Sequence, residues 1–86
     1  MRSKNFARAF GTVLRNHRKA QKLSQESLAE KADIAPKMIS LIERFERNPS
    51  LNVADSIAEG LEVPLWRLVK DAEDLKRKER GTKKTT

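Results

Sequence analysis

LSQESLAEKADIAPKMISLIE, residues 23–43, holds two short helical patterns joined by a turn of about three residues. Ser24 is placed to cap the first pattern, its hydroxyl accepting from a backbone N–H one turn in. Leu28, Ala29 and Ala32 then share one face, at i, i+1 and i+4. Ala32-Asp33-Ile34 interrupts the period, and Pro36 suits the first position of a second helix, where its missing N–H costs nothing. In that second helix Ile39 and Ile42 form the inward stripe and leave Lys37, Ser40, Leu41 and Arg44 facing out.

Two short helices joined so briefly meet at a steep angle rather than as a long hairpin. With a mixed polar outer face on the second, they predict a helix-turn-helix, and hence DNA as partner. The charge distribution agrees. The net charge is +7, and from Arg2 to Lys22 seven basic residues stand with no acid. The tail adds Lys76, Arg77, Lys78, Arg80, Lys83 and Lys84 against Glu79, whereas between the two flanks six basic residues face eleven acids. Basic flanks suit a polyanion, because each neutralised phosphate releases a counterion. The plainer alternative is that charged ends keep a small protein soluble.

The 86 residues make one small domain, with 37% hydrophobic and 36% charged residues and so a thin core. The absence of cysteine removes disulfides, thiolate metal sites and cysteine nucleophiles, and fits a reducing compartment. A single histidine, no glycine-rich phosphate loop and no ligand cluster argue against an enzyme or a metal site, and no cofactor is implied. No apolar run reaches signal-peptide or membrane-span length.

In chain order, residues 1–5 read as a flexible arm. A first helix follows with Phe6, Phe10, Val13, Leu14 and His17 on one face. Gly11 within it costs about 1 kcal/mol against alanine, which indicates either close backbone packing or tolerance. After Glu43, RFERNPS reads as a loop, and Ser50 caps a fourth helix striped by Leu51, Ala54, Ile57, Ala58 and Leu61. A fifth helix begins near Pro64-Leu65 with Leu68 and Val69 inward. Residues 70–80, KDAEDLKRKER, have only Ala72 and Leu75 to bury and read as a solvated, fraying extension, with 81–86 disordered. The fold class is therefore all-α, five helices, with the domain proper over 6–69 and a charged extension and tail over 70–86.

From Phe10 to Val69 the chain resembles the Cro/C1-type (XRE-family) helix-turn-helix domains of bacterial and phage repressors, the lambda-repressor-like fold. Arg18, Leu23-Ser24-Gln25, Leu28-Ala29, Ile39-Ser40, Ile42-Glu43 and Arg47-Asn48-Pro49-Ser50-Leu51 carry the resemblance, with Gly60-Leu61-Glu62-Val63-Pro64-Leu65 at the joint of helices four and five. Its size and RNPSL loop look most like stand-alone members, including restriction–modification controller proteins. The resemblance implies a cytoplasmic, nucleoid-associated, sequence-specific transcription regulator, a homodimer through helices four and five on a pseudo-palindromic DNA site. A protein-interaction module such as an antitoxin or bridging factor, with secondary DNA binding, is the alternative.

The resemblance also implies roles. Arg18 and Glu43 form the family's inter-helix ion pair. Ser24 and Gln25, at the start of helix two, meet a phosphate, with Gln25 also reaching towards the start of the recognition helix. Arg44, Arg47 and Asn48 make a second phosphate clamp. The recognition helix, residues 36–44, offers Pro36, Lys37 and Leu41 to the bases, with Met38 and Ser40 close by. Lys37 can donate to guanine O6 or N7 and Leu41 can press on a thymine methyl; the plainer role for Leu41 is contact with protein. Pro36 has no donor, and a face so thin in bidentate readers leans on DNA shape. Phe45, Glu62 and Asp33 each stand where the family has glycine, so that either the turn at Phe45 is strained or its ring is exposed. His17 reads as a packed histidine, and Trp66 as core or, favoured here, an exposed dimer anchor.

Overall fold

Several helix ends in this chain are built by devices visible in their neighbours. In the computed structural model, which describes the backbone of residues 3–84 and the side chains of residues 6–79, five helices run in order. They are α1 (Ser3–Ala20), α2 (Gln25–Ala32), α3 (Pro36–Glu43), α4 (Leu51–Leu61) and α5 (Leu65–Lys84). Ser24 Oγ accepts from Ser27 N at 2.9 Å and Ser50 Oγ from Val53 N at 3.1 Å, the two caps that satisfy orphan donors at the starts of α2 and α4. Pro36 opens α3 without a side-chain cap.

The first four helices stop the same way without a glycine. Lys22, Asp33, Phe45 and Glu62 each take a left-handed conformation, φ 60° to 65°. In each case the next residue's N–H reaches back five positions: Leu23 to Arg18, Ile34 to Ala29, Glu46 to Leu41 and Val63 to Ala58. This is the Schellman closure, and at three of the four ends the returning residue (Leu23, Ile34, Val63) tucks its apolar side chain against the core. The left-handed cost for a residue with a Cβ is offset by that burial.

The core is the expected stripes meeting: Phe10 and Leu14 of α1, Leu28 of α2, Ile39 and Ile42 of α3, Ile57 and Leu61 of α4, and Leu68 of α5 are all sealed from solvent. Two close approaches let the helices meet. A Cβ on Gly11 would lie 2.4 Å from the Ile42 carbonyl oxygen, and one on Gly60 would lie 3.0 Å from Ala32 N. Close packing, not tolerance, therefore explains Gly11, and it seats the end of α3 directly on α1.

Several expectations are corrected. α1 begins at Ser3, inside the stretch read as an arm, while residues 1–2 lie outside the described residues. Leu51 is 77% exposed. The reason is that Val53, Ala54, Ile57 and Leu61 set the buried face of α4, and Leu51 lies at the edge of that face, in the first turn. Val69 stands outside the core cluster; the inward stripe of α5 is Leu65, Leu68, Ala72 and Leu75, at i, i+3, i+7 and i+10. Residues 70–75 are not a solvated end, whereas Arg77, Lys78 and Glu79 are exposed. Ala72 is fully buried, Leu75 packs on the core, and His17 Nε2 lies 2.9 Å from Asp71 Oδ2. The helix continues to Lys84 where disorder was expected from Gly81; residues 85–86 lie outside the described residues. The sequence count of apolar residues misled because two small contacts and a polar bridge suffice when a whole helix, α1, lies alongside.

Candidate nucleic-acid interface

α3 owes its outward face to its own period. Ile39, Ile42 and Glu43 are buried, and Pro36, Lys37 and Arg44 on the opposite side are exposed, with Ser40 and Leu41 half-exposed beside them. At 100° per residue these five positions fall within one flank of the helix. Leu41 stands outside the core cluster, so its apolar surface is presented outward. Met38 does not join them: it packs against the core, because its position falls on the inner half of the wheel next to Ile42.

What holds that face at its angle is a buried polar knot at the other end of α3. Arg18 Nε donates to Glu43 Oε2 at 2.7 Å and Nη2 donates to Oε1 at 2.9 Å, a two-pronged pair linking α1 to the last residue of α3. Arg18 Nη1 donates to the Leu23 carbonyl at 2.8 Å, and Gln25 Nε2 donates to Glu43 Oε1 at 3.0 Å. Three elements thus close on one carboxylate whose side chain is only 4% exposed. The hydrogen bonds to Glu43 hold the Arg18 guanidinium above its ordinary range, against the opposing effect of burial. Among the described residues no buried side-chain nitrogen or oxygen lacks a partner.

Gln25 therefore reaches the end of the recognition helix, not its start. The reason is geometric: α2 runs past α3 so that its first turn faces Glu43, and a carboxylate with a free lone pair outcompetes weaker acceptors there. Its backbone N–H, with that of Glu26, remains at the open amino end of α2, where Ser24 caps only Ser27. Arg44, Arg47 and Asn48 are exposed in and after the α3 end, and Arg44 Nη2 pairs at 3.1 Å with Glu46 Oε1.

The Phe45 turn resolves both ways. Its backbone is left-handed, φ 65°, and its ring is 43% exposed. The ring roofs Gly11, whose Cβ would sit 3.1 Å from Phe45 Cδ1, and the Arg8 guanidinium lies 4.8 Å from the ring centroid. Arg8 was singled out by nothing in the sequence beyond the basic run; its stacking depends on the close approach of α1 and α3. Trp66 is 61% exposed beside the half-buried Val69, clear of the core. His17 is half-buried and bonded, a packed histidine.

This geometry, a short capped helix, a left-handed turn at Asp33 and a second helix presenting an outer face, defines a helix-turn-helix protein. The helix-turn-helix family profile matches residues 14–65, and the chain belongs to that family, in its Cro/C1 branch. HTH-type transcriptional regulatory proteins of Methanococcus maripaludis strains C5 and C7, provisionally so named, are 43% identical over 60 residues. That match covers 70% of this chain but only 18% of theirs, so the chain spans less than a fifth of the length of these relatives. Among solved structures, the restriction-modification controller protein C.AhdI from Aeromonas hydrophila is 34% identical, with a TM-score of 0.70 over 72% of this chain and 94% of that one. The wild-type controller C.Esp1396I is 27% identical, TM-score 0.70, over 78% and 90%. The clp gene regulator ClgR from Corynebacterium glutamicum shares the fold at 20% identity, with a TM-score of 0.85 over 93% and 85%. Among the described residues no helix is long and apolar enough to cross a membrane.

Proposed function

We propose that this chain is a sequence-specific transcription regulator that lays α3 in the major groove of duplex DNA. One observation carries the reading: α3 buries Ile39 and Ile42 in the core and is clamped at its end by Arg18, Glu43 and Gln25, so Lys37, Ser40 and Leu41 stand outward on a rigid support. Lys37 donates to guanine O6 or N7, Ser40 serves either base partner, and Leu41 covers a thymine methyl, while Pro36 offers only apolar contact. The open amino end of α2 at Ser24 and Gln25 receives one phosphate, and Arg44, Arg47 and Asn48 receive others. With one strong donor on the reading face, discrimination draws on DNA shape as well.

The working unit is a homodimer through α4 and α5, with Trp66 and Val69 as the apolar anchor. The exposure of Trp66 on α5, with the half-buried Val69 beside it and both outside the core, supports this. Two recognition helices would then meet successive major grooves about 34 Å apart on a pseudo-palindrome. The likeness to restriction-modification controller proteins, which are of similar length, supports a compact regulator of the controller kind. Selection of bound sequences from a random duplex pool tests the reading. A two-fold symmetric enriched site is expected; no enriched site at moderate ionic strength overturns it.

A further inference from the structure

The guanidinium of Arg8 lies 4.8 Å from the centre of the Phe45 ring, in the turn that ends α3. One turn further along α1, Gly11 abuts the Ile42 carbonyl and the same ring. These two contacts fix the early part of α1 against the exit of the recognition helix. Phe45 follows Arg44 directly in the chain and precedes Arg47 by two residues. Arg44 belongs to the outer flank of α3: at 100° per residue it falls between Ser40 and Leu41, one turn on. The fold thus brings a cation of α1 to the place where the outer flank of α3 ends.

The chemistry of the contact leaves Arg8 usable. A ring attracts a cation through its quadrupole and does not take up the planar fork of N–H donors that a phosphate needs. Among the described residues no carboxylate pairs with Arg8, whereas Arg44 is paired with Glu46 and Arg18 with Glu43. Both groups also reach solvent, Arg8 being exposed and Phe45 43% exposed. The turn at Phe45 is the one of the four left-handed closures whose returning residue, Glu46, is exposed and charged. What it gains in place of apolar closure is the ring seated on α1 and the cation over it.

We infer that Arg8, steadied by Phe45, is a further phosphate-binding residue at the exit of α3, beside the clamp of Arg44, Arg47 and Asn48. The inference rests on the DNA-binding reading above and adds to it a contact from outside the helix-turn-helix. Arg8 donates to a phosphate oxygen and reads no base, so it adds affinity and salt sensitivity on every duplex alike. Phe45 is a positioning residue: it holds a long side chain in place before the phosphate arrives.

The test compares wild type with Arg8→Gln, Phe45→Leu and the double variant, on random-sequence duplex and on the selected site, over a range of salt. Arg8→Gln is expected to reduce the slope of log K against log salt by about 0.9, the share of one phosphate, with the ratio of selected-site to random affinity unchanged. Phe45→Leu keeps every charge. It is expected to keep the wild-type slope and weaken both duplexes by about 2–10-fold, the range for immobilising one long side chain on binding. In the Arg8→Gln background the same change at Phe45 is expected to cost nothing further. Titrations run well below the melting midpoint of each variant, so loss of fold is not read as loss of contact. A wild-type slope in Arg8→Gln overturns the inference and leaves the α3 reading intact. Equal losses from Phe45→Leu with and without Arg8 overturn the positioning role of the ring. Failure of the wild type to bind any duplex overturns the inference and the reading beneath it together.

Discussion

Glu43→Ala is the most searching perturbation, because three elements converge on that carboxylate. Arg18, with its side chain 11% exposed, would keep its charge after the substitution and lose two of its three hydrogen bonds, and Gln25 would lose its acceptor. Removing one partner of a buried ion pair costs about 3–5 kcal/mol, because the remaining charge is left uncompensated. A domain of this size has a total stability of roughly 4–13 kcal/mol at 0.05–0.15 kcal/mol per residue, so the loss takes a quarter of it or more. With a urea m-value near 1 kcal/mol/M the midpoint should fall by about 3 M, and the melting temperature by at least about 12 °C. Glu46→Ala is the control. Its pair with Arg44 has both side chains more than half exposed, and such pairs contribute about 0–1 kcal/mol. Arg18→Met/Glu43→Leu should recover most of the loss, since apolar replacement of a buried pair is near neutral. Urea and thermal melts followed by circular dichroism decide it. Equal midpoints for Glu43→Ala and Glu46→Ala would show that the knot contributes no more than a surface pair.

Four other substitutions probe different parts of the structure. Lys37→Ala should weaken the selected site by about 1–3 kcal/mol and random DNA far less; a uniform loss in binding titrations would make Lys37 a phosphate contact. Arg47→Ala should lower the slope of log K against log salt by about one without changing sequence preference. Gly11→Ala raises helix propensity by about 1 kcal/mol yet drives a methyl to 2.4 Å from the Ile42 oxygen, so a net loss of about 1–3 kcal/mol is expected in denaturant melts. A stabilised variant would mean α1 and α3 have room to part. Glu62→Gly relieves a left-handed residue at φ 60° and sacrifices only a 3.5 Å surface pair with Lys31, so it should stabilise by about 1 kcal/mol, or roughly 4–8 °C in thermal melts.

The periodicity of residues 23–43, the caps at Ser24 and Ser50 and the breaks at Asp33 and Glu62 are local properties, and so the helix-turn-helix and the three-helix scaffold around it were legible in the chain. So was the face of α3, because its period separates Ile39 and Ile42 from Lys37, Ser40 and Leu41. The resemblance supplied the Arg18–Glu43 pairing, which spacing alone does not.

Long-range contacts were not legible. The packing of α5 beyond Lys70 along α1, the course of Gln25 to Glu43, and Arg8 lying over Phe45 each join residues 18 to 54 or so positions apart through surfaces that only exist once the helices have docked. Leu51 and Val69 erred for the same reason: a helical stripe says which side is apolar, but the length and placement of the neighbouring helix decide how much of that side is covered. Local pattern determined which helices form and which way each one faces. Only the docked structure decided where the helices stop covering one another, because burial is a property of the partner surface as much as of the residue.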